Sequence, residues 1–321
     1  MNIAFSKIII MLFVGAMLIA AWVYEISVAH IIADSLVRLP MNGVLALSLV
    51  PMIKCGVGVN FGLPAAISAG LLGLCMAVNF SFRGYAGFVL SILFSMPFAL
   101  IFGALCSKIF NRIKGREEIA SVFVGFSFVS LMCLFWASAP FSNPVMLWPI
   151  GGKGMRPTIG LMPYFGKILN NMLNISVFGI ALPLGMLLFF FGCCMLMYLF
   201  FKTRLGIAME AVGENETFAG LSGIDILKTR SYAVILSSLT GAAGICVYAQ
   251  SYGFIELYEA PLMMAFPAAS AVLIGGSSRS NITIFQVVIG TFLYQTIYVL
   301  SAPLANEILV SEAAEIFRMM I

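Results

Sequence analysis

Charged residues are scarce in this chain: Asp, Glu, Lys and Arg make up 9% of its 321 residues, whereas 62% are hydrophobic. The mean hydropathy is +1.08. A soluble domain of this size has no interior large enough to hide that much apolar surface. The scarcity of charge therefore excludes a soluble globular fold and indicates an all-α polytopic membrane protein.

Residues that carry out chemistry are equally rare. The chain has one histidine, His30, and two aspartates, Asp34 and Asp225, all expected outside the membrane spans. It contains no HExxH, no GxSxG and no aspartate pair within a span, which argues against an intramembrane protease or a histidine-dependent acyltransferase. It also has no G-x-x-x-x-G-K-[ST] loop for phosphates. We therefore expect no catalytic residue, no metal site and no cofactor in this chain.

Two further features exclude other functions. The net charge of +4 is modest and spread over loops, so nucleic acid is not an expected partner. The seven cysteines lie in apolar segments without CxxC spacing or a histidine neighbour, a pattern typical of buried, reduced thiols.

Nine apolar segments are candidates for membrane spans, each of which needs about 20 residues of helix. The first has too long an apolar stretch for a signal peptide and no evident cleavage site, so it is predicted to be a retained anchor. Residues 1–321 are predicted to form a single transmembrane domain of about nine to ten helices, with the tail Leu304–Ile321 as a candidate partial tenth. The nine spans are Ile8–Ala29, Met41–Val59, Phe61–Phe80, Gly87–Phe110, Ile119–Ala139, Asn174–Phe201, Ser231–Gln250, Pro261–Ile274 and Ile282–Leu300.

The distribution of basic residues predicts the orientation. The loop Lys108–Glu118 carries four basic residues, so it is expected on the cytoplasmic side. Counting spans from this loop places the N-terminus and residues 202–230 inside as well. Residues 140–173 then lie outside, and their five prolines and the run Gly151–Gly154 predict a structured external loop rather than another helix.

Residues 202–230 form a polar island, with four basic and four acidic residues between two apolar spans. The stretch Ala211–Ile224 is predicted to contain a short helix capped by Asn215 with Glu216 in its first turn, ended by glycine. Phe218, Ala219 and Leu221 would form an apolar knob on it. Such a loop would dock on a cytoplasmic partner and pass force to the spans. The alternative is a solvated connector.

A second segment, Lys54–Gly62, combines a basic residue with three glycines next to an apolar span. Charge within a bilayer often marks a transport path, and broken helices at depth often line a cavity. On this basis Lys54, Gly56, Asn60 and Gly62 are candidates for the substrate path. The alternative is a simple turn in which Lys54 reaches the membrane surface.

These two segments resemble a known family. The run Ala211–Asn215, followed by Ala219 and Ser222–Ile224, is similar to the coupling loop of ABC-importer permeases of the ribose, nucleoside and branched-chain amino-acid type. Glu210 departs from an arginine common there, and Phe218 replaces an alanine. The resemblance covers about residues 41–300 and extends to the segments Lys54–Gly62, Arg116–Ala120 and Ala271–Gly276.

The resemblance implies an ABC-importer permease fold and a set of partners. The chain would pair with a second permease, in a homo- or heterodimer, over cytoplasmic ATPases that hold ATP and Mg²⁺, and an extracytoplasmic binding protein would deliver a simple sugar or a nucleoside. It would lie in the plasma membrane of a bacterial cell. The residues implied in ATPase coupling are Gly213, Glu214, Asn215, Phe218, Ala219, Gly223 and Ile224.

Two alternatives remain at this stage. A stand-alone secondary transporter driven by an ion gradient would need ionisable groups within spans, and only Lys54 is a candidate. A structural membrane protein would use the island as a tether.

Overall fold

A computed structural model describes residues 3–148, 154–177, 180–258, 260–276 and 282–308. Most of these residues are helical, because a chain in lipid satisfies its backbone groups within helices. In chain order the helices are α1 (Ile3–Val23), α2 (Val28–Leu47), α3 (Val50–Lys54), α4 (Leu63–Asn79), α5 (Gly84–Arg112), α6 (Glu117–Ser138), α7 (Ile168–Met172), α8 (Leu184–Phe201), α9 (Arg204–Glu214), α10 (Glu216–Leu221), α11 (Ile226–Tyr252), α12 (Ala260–Ile274) and α13 (Ile284–Ile308).

The described segments also contain four short strands: β1 (Thr158–Gly160), β2 (Asn174–Val177), β3 (Ile180–Pro183) and β4 (Phe254–Glu256). They form two antiparallel pairs, β1 with β4 and β2 with β3. The first pair joins the segment after α6 to the residues that follow α11. The second lies directly before α8.

Nine of the described helices correspond to the nine predicted spans. Five are long and apolar enough to cross a membrane: α5, α6, α8, α11 and residues Ile284–Glu307 of α13. Three shorter apolar helices are residues Ile9–Val23 of α1, together with α4 and α12. The ninth is α2, which has 20 residues. Of the predicted partial tenth element, Leu304–Ile321, the first five residues belong to α13, and the rest lie outside the described residues.

The predicted position of the second span, Met41–Val59, is wrong. The helix runs from Val28 to Leu47, a second short helix follows, and the chain leaves helical structure between Cys55 and Gly62. Averaged hydropathy missed the first half of α2 because that half carries three ionisable residues. Since these recur every fourth position, they share one side of the helix, and α2 as a whole packs on α11 and α13. Asp34 is thus inside a helix, contrary to the expectation that both aspartates lie outside the spans.

The first and sixth predicted spans also differ from the structure at their boundaries. The first helix is Ile3–Val23, where Ile8–Ala29 was predicted, because the chain turns at Tyr24–Ile26. In the predicted span Asn174–Phe201, the first ten residues belong to the β2–β3 segment and only the remaining 18 are helical. The run Asn174–Pro183 is apolar but rich in β-branched residues, which favour strands.

The centre of the bundle is formed by α4 and α11. In the most apolar window of α11, 61% of the residues are buried, compared with 28% in α5 and in α6. Small residues permit this close packing. A Cβ atom on Gly70 of α4 would lie 2.6 Å from the Ala242 carbonyl oxygen of α11, and one on Gly73 would lie 2.6 Å from the Ser95 nitrogen of α5.

The described residues of the segment 140–173 pack on one end of the bundle, which we call the loop end. The Asn143 side-chain amide donates to the Val78 carbonyl at 2.8 Å, and the Leu169 N–H donates to the buried Gln250 side chain at 3.2 Å. The described part of this segment holds only one helix, the five-residue α7. The polar island lies at the other end, the island end, and the 27 residues of α11 separate the two by about 40 Å.

Candidate functional site

The island folds as two short helices that meet at Asn215. The Asn215 backbone is extended, with φ −153° and ψ 98°, so it ends α9 and begins α10. Its side-chain oxygen accepts a hydrogen bond from the Phe218 N–H at 3.0 Å. The predicted cap at Asn215 is therefore confirmed, together with Glu216 in the first turn. The Thr203 hydroxyl caps α9 by accepting from the Gly206 N–H at 3.3 Å.

A tight turn returns the chain from α10 to the membrane helix α11. Gly223 has φ +83°, a conformation that favours glycine, and the Ile224 N–H donates to the Ala219 carbonyl at 3.1 Å. The Asp225 carboxylate then accepts from the Lys228 N–H at 3.1 Å and caps α11. This hydrogen bond and the Lys228 ammonium hold the pKa of Asp225 below its ordinary value, so the cap stays charged at neutral pH.

The island rests on the bundle through two glycines. Gly56 has φ +71°, and a Cβ atom on it would lie 3.1 Å from the Gly213 Cα atom. A Cβ atom on Gly213 would in turn overlap the carbonyl oxygen of Lys54. The backbones of α9 and of the segment after α3 are thus in direct contact, and only glycine permits the approach.

Lys54 lies at this contact between the island and the bundle. Its ammonium pairs with the Glu210 carboxylate of α9 and lies 4.5 Å from the centre of the Phe201 ring of α8. Its side chain is 18% exposed. Glu210 is the residue that departs from the arginine common in the resembled family, and Lys54 supplies the opposite charge. Lys54 thereby joins three elements, α3, α8 and α9.

Reversal of the charge at Lys54 or at Glu210 is expected to loosen the island. In Lys54→Glu or Glu210→Lys, two like charges would meet at a partly buried position, so we expect proteolytic cleavage within the island to accelerate about tenfold, roughly 1.4 kcal/mol of local opening free energy. The double variant restores opposite charges and is expected to be cleaved at nearly the original rate. Equal sensitivity of the double and single variants would contradict the pairing.

A buried ion-pair network lies behind the island. The Arg230 guanidinium, with 3% of its side chain exposed, pairs with Glu117 at the start of α6 and lies 3.3 Å from Glu216 of α10. Glu216 also pairs with Lys114 at 2.6 Å. The side-chain oxygen of Asn111, at the end of α5, accepts from Arg230 at 3.4 Å. One arginine therefore connects α5, α6, α10 and α11.

The segment between α3 and α4 contacts the same elements. The buried Asn60 amide donates to the Ser237 hydroxyl of α11 at 3.2 Å, and its oxygen accepts from the Gly62 N–H at 3.0 Å. The Phe61 N–H donates to the Ser121 hydroxyl of α6 at 3.2 Å. Of the four residues predicted for the substrate path, Lys54 and Gly56 contact the island, while Asn60 and Gly62 lie directly before α4. Whether solute passes them stays a prediction.

A cavity of about 530 Å³ lies at the island end. Its walls come from the segment after α3, the turn between α5 and α6, and the island. Its main lining residues are Cys55–Gly58, Lys114–Ile119, Val212, Gly213, Glu216 and Arg230.

The tip of the island is apolar and exposed. Phe218 of α10 is 65% exposed and Leu221 is 86% exposed, although both lie in a polar stretch. Ala219, predicted to be part of this knob, is fully buried and instead anchors α10 to the bundle. Glu214, Asn215 and Gly223 are exposed near the tip, whereas Gly213 and Ile224 are half-buried.

Sequence reasoning missed Arg230 and Glu117 as a functional pair. Glu117 was noted only within the run Arg116–Ala120, and Arg230 only as the last charge of the island. The available signal was an arginine four residues inside a helix that continues as an apolar span, because a charge in that position needs a partner.

Comparison with known proteins identifies the family. Residues 31–321 match the family described as branched-chain amino acid transport system / permease component. The chain is 23% identical to the autoinducer 2 import system permease protein LsrD of Photorhabdus luminescens, over 79% of this chain and 67% of that protein. It is 24% identical to the nucleoside ABC transporter permease protein NupC of Lactococcus lactis, over 60% of this chain and 59% of that protein.

A solved ABC transporter of the metal-chelate type, in an inward-facing conformation, aligns with 91% of this chain and 81% of its own, at 16% identity and a TM-score of 0.44. The family match covers most of the sequence and confirms the resemblance carried by the island and the glycine-rich segment. The chain therefore belongs to the branched-chain amino acid transport permease family and is a multi-pass transport subunit of the ABC importer class.

Proposed function

We propose that this permease imports a small polar solute, a simple sugar or a nucleoside, with energy from a separate cytoplasmic ATPase that docks on the island. The observation that carries the proposal is the exposed apolar tip at Phe218 and Leu221 on a helix pair fixed to the bundle by Lys54, Gly213 and Arg230. Exposed apolar groups on a polar loop are typical of a protein-binding surface.

The printed names of the relatives support the class of solute. One relative is an autoinducer 2 import permease and two are permeases of nucleoside or guanosine transporters. These names suggest a small, hydroxyl-rich solute for this chain as well. Nothing in the comparisons supports transport driven by an ion gradient.

The proposal extends to the partners. A second permease, identical or related, completes the translocation path, and a solute-binding protein delivers the solute at the loop end. The island and the N-terminus face the cytoplasm of a bacterial cell, and the bilayer is the plasma membrane. ATP and Mg²⁺ are held by the ATPase, so this chain itself needs no cofactor and hydrolyses no nucleotide.

The contacts of the island suggest how force is transmitted. Movement of α10 acts through Glu216 on Arg230, and so on α6 and α11. Movement of α9 acts through Gly213 on Gly56 and the non-helical residues before α4. We infer that this break between α3 and α4 is the joint at which the spans change position, because discontinuous helices move at their unwound segments.

The docking surface is tested by placing charge on the tip. We expect Phe218→Glu/Leu221→Glu to insert normally but to lose ATPase co-purification. Burial of each side chain is worth roughly 1.5–3 kcal/mol, so the loss is on the order of a hundredfold or more in affinity. The measurement is the amount of ATPase retained by the tagged permease in mild detergent, together with the ATP hydrolysis of the eluate.

A matched control is Met162→Glu at the loop end, where the side chain is 60% exposed. It introduces one glutamate, against two in the tip variant, on a similarly exposed apolar residue, and it is expected to retain the ATPase. Full ATPase binding by the double-charge variant would overturn the docking proposal. Transport by the purified chain alone in liposomes would instead favour an ion-driven carrier.

A further inference from the structure

Four polar residues recur along one side of α2. They are spaced four residues apart, so each lies one turn from the next, and they are His30, Asp34, Arg38 and Asn42. Arg38 lies ten residues into the 20-residue helix, about 15 Å from its start and near its middle. A charge at such depth faces protein or water and not lipid, because the cost of placing it in hydrocarbon is several kcal/mol.

A cleft of about 500 Å³ lies against three of these residues. It is closed on the other side by α13, and the Arg38 guanidinium lies 5.4 Å from the centre of the Tyr298 ring. The volume falls within the range of roughly 300–1,000 Å³ that is typical of small-molecule sites. Its remaining walls are Ile26, Ser27, Ile31, Val299, Ala302 and Pro303.

The polar groups of the cleft have capacity for a ligand. Among the described residues, no carboxylate lies within 4.0 Å of the Arg38 guanidinium, and Asp34 is exposed in the same cleft. Pro303 has no N–H, so the carbonyl of Val299, four residues earlier on the cleft wall, loses its helical donor. The Arg38 guanidinium, the Asp34 carboxylate and the Val299 carbonyl therefore belong to residues that line the same cleft.

We propose that this cleft is a binding station for a ribose-type sugar ring, free or as part of a nucleoside, on the route of the solute through the permease. The inference rests on the proposed function and assigns the site at which that solute is held. The sugar ring lies beside Tyr298, whose ring face Arg38 covers, while adjacent hydroxyls accept from Arg38 and donate to Asp34. Because Asp34 and Arg38 carry opposite charges, the pair suits a neutral polyol better than an ion of either sign.

The station lies between the loop end and the middle of the bundle. Its α2 residues follow the turn at Tyr24–Ile26, and its α13 residues lie in the second half of that helix. It is thus on the side opposite to the island. Solute arriving at the loop end would reach it before the break between α3 and α4.

The test uses the full chain in proteoliposomes of both orientations and a charged, membrane-impermeant thiosulfonate, which reacts only with hydrated thiols. Ala302→Cys places a thiol in the cleft without removing a binding group. The control is Ile32→Cys, at a similar depth on α2 and 42% exposed, but outside the cleft. Wild-type labelling through the seven native cysteines is subtracted.

We expect the cleft thiol to react at least about tenfold faster than the control, because only the cleft is hydrated. D-ribose and adenosine are the probes, and either is expected to slow the cleft reaction at least about threefold without affecting the control. Arg38→Gln is expected to abolish this protection while the fast reaction remains. Equal labelling rates at the two positions would contradict a hydrated cleft. A fast reaction that neither probe slows would contradict the binding of a ribose-type ring in the cleft.

A zwitterionic lipid headgroup is the competing occupant. The labelling rate of Ala302→Cys is therefore compared in phosphatidylcholine and in phosphatidylethanolamine. If this rate depends on the lipid and does not respond to the added probes, the cleft binds lipid and the proposal is overturned. The labelling needs no ATPase, so its outcome is independent of the docking experiment. Full ATPase binding by the Phe218→Glu/Leu221→Glu variant would contradict the proposed function, and the cleft measurement could still be interpreted by itself.

Discussion

Arg230→Met is expected to abolish transport and to destabilise the permease more than any other single change at the island end. The substitution removes the partner of Glu117, whose side chain is only 9% exposed, and leaves its carboxylate buried without a counter-charge. Removal of one partner from a buried pair costs about 3–5 kcal/mol, whereas replacement of both is often nearly neutral. The measurement is the thermal midpoint of the purified protein together with solute uptake.

Two further variants make this expectation specific. Arg230→Met/Glu117→Gln removes the uncompensated charge, so it is expected to recover much of the stability but not the uptake, because the connection between α11 and α6 stays broken. Lys228→Met removes the same charge two residues away. Its ion pair with Asp225 is on the surface, with 74% and 50% of the side chains exposed, and little change is expected. A Lys228 effect as large as that of Arg230 would mean that net charge, and not the buried network, is responsible.

Gly213→Ala is expected to uncouple the permease from its ATPase. The added Cβ would overlap the Lys54 carbonyl oxygen, which belongs to the backbone and cannot rotate away, so α9 must move from the segment at Gly56. Overpacking of this kind typically costs 1–3 kcal/mol. We expect uptake to fall on the order of tenfold to a hundredfold while the protein still inserts and still binds the ATPase through its tip.

The matched control is Gly220→Ala in the neighbouring helix. A Cβ atom there would meet only the flexible end of Ile226, at 3.3 Å, and alanine favours helix more than glycine does. This variant is expected to transport normally. Normal uptake by Gly213→Ala, measured with ATP hydrolysis in the same proteoliposomes, would contradict a role for the glycine contact in coupling.

Features that depend on neighbouring residues were predictable from the sequence. The Asn215 cap and the Gly223 turn follow from local hydrogen bonds and backbone preference, and both form as expected. The apolar helices were also predictable in number, because each carries its own hydropathy signal. The second span was misplaced because a window average cannot separate a polar face from a polar segment, and α2 has three ionisable residues on one side.

Contacts between distant parts of the chain could not be predicted in the same way. Glu117 and Arg230 are 113 residues apart, and nothing local links them. Gly56 and Gly213 were both singled out, but for separate roles, since neither segment carries information about the other. The exposed Leu221 and the buried Ala219 are two residues apart in one short helix, and only packing decides which of them meets a partner.

One helix contacts both ends of the molecule, and this has a consequence for signalling. Helix α11 is tied to the island through Arg230 and to the loop end through Gln250, and its 27 residues contain no proline. A displacement of one end of α11 is therefore expected to move the other end as well, because the helix has no proline kink at which it could bend. Coupling between two binding events is reciprocal. If a binding protein at the loop end changes the affinity of the permease for the ATPase by some factor, then the ATPase changes the affinity of the permease for the binding protein by the same factor.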